Sequence, residues 1–232
     1  MLKQYASKKV VAGCDESGRG CLAGPVVSAA VILPDGHKIK GLGDSKKISP
    51  IKRKALFDEI ITISDVGVGI VSSREIDSIN ILQATYVSME KAYSRLKNIP
   101  DKTLVDGYRI PTKKFISEGI IKGDEKIQEI SAASIIAKVV RDKFMILVDS
   151  VFPQFEFSKH KGYGTSVHIN ALIKHKATLI HRKSFKPVKN NLPTNSMMRN
   201  QNYKKLLNDQ KKELKKLNKE IKNWLSKKNL IY

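Results

Sequence analysis

Residues 10–27 read Val10-Val11-Ala12-Gly13-Cys14-Asp15-Glu16-Ser17-Gly18-Arg19-Gly20-Cys21-Leu22-Ala23-Gly24-Pro25-Val26-Val27. The apolar, β-branched residues before Gly13 favour an extended, half-buried backbone, and a second apolar run starts at Gly24. This pattern predicts a strand, an acidic loop and a strand, with Asp15 and Glu16 where the first strand ends. Two adjacent carboxylates in that position attract a hard divalent cation such as Mg²⁺ or Mn²⁺, because these ions prefer oxygen ligands.

The acidic loop also contains two glycines and a cation. Gly18 and Gly20 allow the backbone to approach a neighbour closely, and Arg19 between them offers a bidentate group suited to phosphate. A polar turn between two strands would equally explain an Asp-Glu pair beside glycines. The pair taken alone leaves both interpretations open.

The composition indicates one domain that binds an anion. The chain has 232 residues, 41% hydrophobic and 28% charged, with a formal net charge of +21. This charge favours nucleic acid or an acidic membrane surface as the partner. No apolar run reaches the length of about 20 residues that a membrane-spanning helix needs, so we expect a cytoplasmic protein with no membrane partner. Cys14 and Cys21 are expected to be buried thiols, because a zinc site would need a second pair.

Two further acids follow short predicted strands. Strands are predicted at 24–33 and 65–71, a helix from Pro50 to about Ile60, and a helical region that runs with interruption from Ser72 to about Lys97. Asp106 ends the next apolar run, and Asp124 follows Gly123 before a long helix. A turn-forming Asp-Gly pair and an acid at a helix start are the respective alternatives. Because alternating strands and helices bring strand ends to one edge of a sheet, we expect Asp15, Glu16, Asp106 and Asp124 to converge.

Other residues could contact a nucleic acid. Lys46 and Lys47 lie in a polar, glycine-punctuated loop where they could meet phosphates, although solvated lysines are the simpler explanation. Tyr163 lies between glycines and could stack on a sugar or base, or simply pack on its loop. The histidines lack the context of a zinc finger and are interpreted as structural or phosphate-facing.

Several of these motifs resemble those of one family, the type 2 ribonucleases H, or ribonuclease HII. They are GCDESGRGCLAGPV from Gly13, the Asp-Ser-Lys-Lys string at Lys46, LVDG at Asp106, IKGD before EISAASIIAKV at Asp124, KGYGT at Tyr163, and HRKSFKPV from His181. The resemblance extends from about residue 9 to residue 188. It implies a ribonuclease H-like α/β fold, with a mixed sheet that is antiparallel at its start, flanking helices and a helical C-terminal extension.

The resemblance also implies an activity. The reaction is endonucleolytic hydrolysis of the RNA strand of RNA–DNA hybrids, including at single ribonucleotides embedded in duplex DNA, with 3′-hydroxyl and 5′-phosphate products. The four acids of the family's active site correspond to the four acids above. The resemblance also implies that Gly18, Arg19, Gly20 and Tyr163 recognise the 2′-hydroxyl of the ribonucleotide. Four carboxylates can hold two Mg²⁺ or Mn²⁺ ions about 4 Å apart. We expect Asp15 to bridge them.

The C-terminal segment carries no family motif. Residues 196–232 contain 11 Lys or Arg against 3 Asp or Glu, a net charge of +8. Leu207, Leu214, Leu217, Ile221 and Trp224 recur at helical spacing, so we expect an amphipathic helix. We therefore divide the chain into a catalytic domain over 1–190 and a linker with a basic helical tail over 191–232, and we expect a monomer. The tail could bind phosphates, or it could simply pack on the core with its lysines in solvent.

Two rival functions differ from ribonuclease HII in class or preference. One is a non-catalytic protein that binds RNA or hybrids, which the presence of all four acids argues against. The other is a sibling ribonuclease H that prefers long hybrids, which the Gly18-Arg19-Gly20 loop and Tyr163 argue against.

Overall fold

The computed structural model describes residues 9–230 of the chain. Its strands are β1 (Val11–Ser17), β2 (Val26–Ile32), β3 (Asp65–Val71), β4 (Lys102–Asp106) and β5 (Ser117–Ile120). Its helices are α1 (Pro50–Ile63), α2 (Ser73–Ile79), α3 (Ile81–Tyr93), α4 (Gln128–Asp149), α5 (Phe157–His160), α6 (Ser166–His175), α7 (Lys186–Lys189), α8 (Asn195–Arg199) and α9 (Gln201–Lys227). None of the helices in this range is long and apolar enough to cross a membrane.

The strands form one mixed sheet in the order β3-β2-β1-β4-β5. The first three strands are antiparallel neighbours, whereas β4 lies parallel to β1 and β5 lies parallel to β4. The parallel pairing of β1 with β4 ends at Cys14 opposite Val105, but the pairing of β1 with β2 continues to Ser17. The mixed sheet with an antiparallel start and flanking helices, predicted from the sequence, is confirmed.

Two helices cover opposite faces of this sheet at short range. Gly13 of β1 faces α4, and a Cβ atom at this position would lie 2.0 Å from the backbone carbon of Glu129. The next residue, Cys14, faces the other way and packs with Met89 of α3. Because successive residues of a strand alternate between its faces, α4 lies on the side of Asp15 and α3 on the side of Glu16.

The C-terminal segment is helical and docks on the rest of the molecule by one stripe. Ile221 and Leu225 are buried in the same core cluster as Phe57 of α1, and the Trp224 and Phe57 rings stack with centroids 5.8 Å apart. Leu214 and Leu217 pack on a second cluster. The amphipathic helix is therefore confirmed. The division into domains at residue 190 stays a prediction, and residues 1–8 and 231–232 of its two parts lie outside the described range.

Local signals placed most elements correctly. Strand β3 has the predicted bounds, and Ser49 caps α1 by accepting a hydrogen bond from the backbone of Lys52. Some predictions differ from the structure. The helical region expected to about Lys97 ends with α3 at Tyr93. The strand expected at 120–121 ends at Ile120, so that Asp124 lies in a single 3₁₀ turn over Gly123–Glu125. The C-terminal helix is interrupted at Asn200, whose side chain accepts from the backbone N–H of Tyr203 and starts α9 anew.

Because the stripe of α9 completes the core, truncating one of its buried side chains should destabilise the whole protein. Leu225 is fully buried, whereas Leu206 on the same helix is 49% exposed. We expect Leu225→Ala to lower the free energy of unfolding by about 2–5 kcal/mol and Leu206→Ala to change it by less than about 0.5 kcal/mol. Urea denaturation of both variants measures the difference, and equal midpoints would show that α9 folds separately from the core.

Candidate active site

Asp15 and Glu16 lie within β1 rather than beyond its end. Asp15 pairs with Ala29 and Glu16 with Ser28 on β2, but neither has a partner on β4, whose pairing with β1 stops one residue earlier. The two carboxylates thus occupy the part of β1 that extends past its parallel neighbour. This step in the sheet opens a cleft on the β4 side. The sequence pattern predicts the two acids at the end of the strand instead.

The other two acids are linked to each other through the backbone. Asp106 is the last residue of β4, and its Oδ1 accepts a hydrogen bond of 2.7 Å from the backbone N–H of Gly123. Gly123 starts the 3₁₀ turn that contains Asp124. The Asp106 carboxylate therefore fixes the turn that carries Asp124.

All four acids line one cleft of about 220 Å³. Most of the residues predicted to contact substrate line it too, namely Gly18, Arg19, Gly20, Lys46 and Tyr163. Sequence reasoning missed four further lining residues, Ser17, Ser45, Ser134 and Lys138. Lys47 is not among the lining residues, because its exposed side chain turns away to contact Glu125. The structure thus gathers every predicted site residue except Lys47.

The carboxylates in the cleft repel one another. Burial raises the pKa of Asp15 well above its usual value, and the neighbouring carboxylates of Glu16 and Asp106 raise it further. Burial also raises the pKa of Glu16, although Arg19, whose Nη1 lies 3.3 Å from Glu16 Oε1, opposes the shift. Burial and then Asp106 raise the pKa of Asp124. The site therefore holds more negative charge than its lysine and arginine neighbours offset.

A divalent cation fits this donor set chemically. All four candidate ligands are carboxylates, the ligands that Mg²⁺ and Mn²⁺ prefer, and a cation would relieve the repulsion that raises their pKa values. Within residues 9–230 no three His, Cys, Asp or Glu side chains already converge tightly enough to hold one ion. The residues suit a metal by charge and chemistry, and the side chains as they lie do not form a closed chelate.

Two buried arginines fix the loop over 18–25 that connects β1 to β2. Arg141 of α4 and Arg182 are both fully buried. Arg182 donates to the carbonyl oxygens of Gly18, Arg19, Gly24 and Pro25, and Arg141 donates to those of Ala23, Pro25 and Lys161. The sequence analysis assigned neither arginine a role in the site.

The first glycine of this loop is required by one of these arginines. Gly18 has a φ of +100°, and a Cβ atom there would lie 2.0 Å from Nε of Arg141. A side chain would therefore collide with the guanidinium as well as strain the backbone. The close approach predicted for this loop is thus an approach to Arg141 of the protein itself, whereas Gly20 faces open space.

The loop that carries Lys46 is fastened to α4 by small polar residues. Ser45 Oγ lies 2.8 Å from Ser134 Oγ, and Ser131 Oγ donates to the carbonyl oxygen of Gly43 at 2.9 Å. Arg53 of α1 donates to the carbonyl oxygen of Ser45 at 2.7 Å. The small polar residues of α4 thus position the lysine loop beside the acids.

Tyr163 is held at the side of the cleft by the 18–25 loop. The backbone N–H of Leu22 donates to the carbonyl oxygen of Gly162 at 2.8 Å, and this pairing joins the two loops. The Tyr163 side chain lies beside Cys21, and burial followed by this thiol raises the pKa of the phenol. The amine of Lys138 lies 5.7 Å from the centre of the tyrosine ring. The ring remains 36% exposed, so a ligand can reach it.

Buried histidines support Tyr163 from behind. His168 Nδ1 lies 2.9 Å from the carbonyl oxygen of Tyr163, and its Nε2 lies 3.0 Å from Nε2 of His181. The backbone N–H of Thr178 donates to His181 Nδ1 at 3.0 Å. Only one assignment satisfies all three contacts with neutral rings: His181 donates from Nε2, and His168 accepts at Nε2 and donates from Nδ1. We call this chain from Thr178 to Tyr163 the histidine relay; it agrees with the structural role predicted for these residues.

The chain was compared with known proteins. Residues 12–188 match the family model described as Ribonuclease HII. A ribonuclease HII from Vibrio campbellii is 53% identical over 182 residues, which cover 78% of this chain and 86% of that protein. The crystal structure of ribonuclease H2 from Pyrococcus horikoshii is 27% identical with a TM-score of 0.66, covering 78% of this chain and 95% of that one. Bst-RNase HIII, solved in complex with Mn²⁺, has a TM-score of 0.65 over 80% of this chain and 70% of that one; at 16% identity it shows a shared fold.

The histidine relay predicts that acid weakens the fold. Burial lowers the pKa of His168 to about 4 and that of His181 to about 3. As pH falls below about 6.5, the unfolded chain binds protons that these buried rings do not bind, so the native state loses stability. The raised carboxyl pKa values act in the opposite direction, because the native protein binds those protons before the unfolded chain does.

A His168 variant isolates the histidine contribution to the pH dependence of stability. The wild type and the variant share the same carboxylates, so the carboxylate contribution cancels when their stabilities are compared. From neutral pH down to about 4, the wild type should lose stability relative to His168→Gln by up to about 1.4 kcal/mol per pH unit. Urea denaturation across this range measures the difference. Asn170→Gln, at an exposed position of α6, serves as the control and should follow the wild type. A constant difference between wild type and His168→Gln would contradict the neutral relay.

Proposed function

The chain belongs to the ribonuclease HII family, the endonucleases that hydrolyse the RNA strand of RNA–DNA hybrids, and we propose that it also cuts at single ribonucleotides embedded in duplex DNA, using two divalent ions. What carries the proposal is the meeting of four carboxylates, the Gly18-Arg19-Gly20 loop and Tyr163 in one cleft. The products proposed are 3′-hydroxyl and 5′-phosphate ends. Such a reaction serves ribonucleotide excision repair and DNA replication, and a cytoplasmic monomer suffices for it.

In this proposal the carboxylates hold the ions. Asp15, Glu16, Asp106 and Asp124 would bind two Mg²⁺ or Mn²⁺ ions, which supply activation of the attacking water and neutralisation of the leaving oxygen. Burial, with repulsion between the carboxylates, raises the pKa values of Asp15, Glu16 and Asp124, and this unfavourable negative charge supports the assignment. Asp15, the most buried of the four, is the proposed shared ligand.

The protein's own groups bind and orient the substrate. Lys46 and Lys138, both at the cleft, offer cations to the phosphates on either side of the scissile bond. Arg19 and the backbone of its flanking glycines face the ribose. The exposed Tyr163 ring offers a stacking surface at the junction where RNA meets DNA, where the 2′-hydroxyl is the chemical difference available for recognition.

The experiment that tests the proposal is a cleavage assay on a duplex with a single ribonucleotide, with and without Mg²⁺ or Mn²⁺. An all-DNA duplex and a long RNA–DNA hybrid serve as reference substrates. Cleavage of the long hybrid but not of the single-ribonucleotide duplex would favour a related ribonuclease H that prefers long hybrids. Binding of both substrates without cleavage at any metal concentration would favour a non-catalytic protein.

Removing one carboxylate separates the metal role from the fold. We expect Asp15→Asn to abolish cleavage while hybrid binding persists, and to raise the stability of the metal-free protein, because at neutral pH the charge of Asp15 is opposed by burial and by its neighbours. Millimolar Mn²⁺ should raise the melting temperature of the wild type but not of this variant, because only a bound ligand stabilises the native state. Asp35→Asn, in an exposed turn, is the matched control. Full-rate cleavage by Asp15→Asn at saturating Mg²⁺ would exclude Asp15 as a ligand.

Removing the tyrosine ring tests recognition without touching the carboxylates. We expect Tyr163→Ala to slow cutting at a lone ribonucleotide by about 5- to 150-fold, the equivalent of about 1–3 kcal/mol for the removal of a stacked ring. Tyr108→Ala removes a ring that is 82% exposed and should leave the rate unchanged. Equal rates for the two variants would reduce Tyr163 to a loop-packing residue.

A further inference from the structure

Helix α9 lies outside the residues that match the family model, which end at 188. It packs on the body through one stripe that contains Leu214, Leu217 and the buried Ile221 and Leu225. This stripe uses most of the apolar face of the helix and leaves Leu206 49% exposed. One exposed leucine is far less than the apolar face that an amphipathic membrane helix inserts into a lipid bilayer.

The charged residues of α9 are segregated around the helix. At about 100° per residue, one flank beside the stripe and the outer surface next to it carry only lysine, asparagine and serine between 204 and 226. We call its seven cationic residues the lysine flank: Lys204, Lys205, Lys211, Lys212, Lys215, Lys219 and Lys222, all exposed. The three acids of the helix, Asp209, Glu213 and Glu220, project from the other flank.

This segregation places the three acids of the helix on the side away from most of the flank. Two ion pairs within α9 join Lys216 to Glu213 at 2.6 Å and Lys212 to Asp209 at 4.0 Å. Lys216 lies on the acidic side, and Lys212 lies at the border between the two. A helix that only needed solubility would gain from mixed charges at i and i+4, whereas here the like charges are collected on one side.

The dimensions of the flank suit an extended polyanion. Lys204, Lys211, Lys215 and Lys222 share one line along the helix, and at 1.5 Å per residue they span about 27 Å. This span equals about eight base pairs of a duplex at 3.4 Å per phosphate along each strand. A line of exposed lysines provides charge for phosphate contacts, which carry no information about base sequence.

The helix is also connected to the active-site loop. Leu214 and Asn218 of α9 line a cavity together with Gly24 and Pro25. These two residues end the loop that begins with Gly18 and Arg19 at the cleft. The middle of α9 therefore lies against the far end of the segment whose near end is proposed to contact substrate.

We propose that the lysine flank is an auxiliary surface that binds the phosphate backbone of duplex nucleic acid outside the cleft. This inference rests on the proposed function for the identity of the nucleic acid. The surface contributes affinity that does not depend on sequence or on a ribonucleotide, and it takes no part in the chemistry. Its effect is greatest on duplexes long enough to reach from the cleft to α9.

The test compares two charge-matched variants of the full chain. Lys211→Gln/Lys215→Gln removes two adjacent members of the flank, and Lys38→Gln/Lys97→Gln removes two exposed lysines that lie outside α9 and do not line the cleft. The probe is a DNA duplex that contains no ribonucleotide and is longer than the flank. Because this duplex is not cut, its binding is measured independently of catalysis.

We expect the flank variant alone to bind the duplex more weakly and with a smaller salt dependence. For each phosphate that the variant no longer binds, the slope of log affinity against log salt should fall by about 0.9. Its rate at saturating concentrations of a short single-ribonucleotide duplex should equal that of the wild type. If the two variants bind the duplex equally, the proposal is overturned. It is also overturned if the flank variant loses only binding to vesicles that contain phosphatidylserine. Failure of the proposed function would appear instead as absence of cleavage by the wild type.

Discussion

The structure depends on two guanidinium groups buried beside the active site. Arg141 and Arg182 are fully buried, and their hydrogen bonds run to carbonyl oxygens, most of them in the loop over 18–25. Burial and the nearby Arg141 lower the pKa of Arg182 to about 10, so it keeps its charge at neutral pH. A buried charge is tolerated only when its donors are satisfied. The loop must therefore keep the shape that presents its carbonyls inward, which places Arg19 at the cleft.

The same fold brings together groups that would separate if they were free. Asp15 projects from β1 toward α4, Asp106 ends β4, and a hydrogen bond from Gly123 to Asp106 holds the turn that contains Asp124. Burial and then mutual repulsion raise the pKa values of Asp15 and Asp124, and both effects cost the metal-free protein stability. The packed sheet, α4 and the arginine-bound loop offset that cost. The protein is thus less stable than it would be without these charges, but it concentrates negative charge at a place where a cation can bind.

Local chemistry made much of this predictable. Ser49-Pro50 at the start of α1 and the apolar run of β3 depend on neighbours in sequence, and the acids could be grouped because strand ends share an edge of the sheet. The arginines could not be assigned, since Arg182 finds its acceptors 157 to 164 residues away. The contact of Ser134 with Ser45 is long-range in the same way, since 89 residues separate the two serines. From the sequence alone, an arginine in a basic chain is predicted to lie on the surface, because most arginines are exposed.

Amide hydrogen exchange in the 18–25 loop tests most directly whether the guanidinium groups hold it. The backbone N–H of Leu22 and of Gly24 are protected by bonds to Gly162 and Ile180, and Arg182→Lys keeps the charge but loses the forked donors. Losing one charge-assisted bond, worth about 1.5–3 kcal/mol, predicts exchange at least about tenfold faster at these two amides. Exposed Arg199→Lys should match the wild type. Wild-type exchange rates in Arg182→Lys would contradict the account.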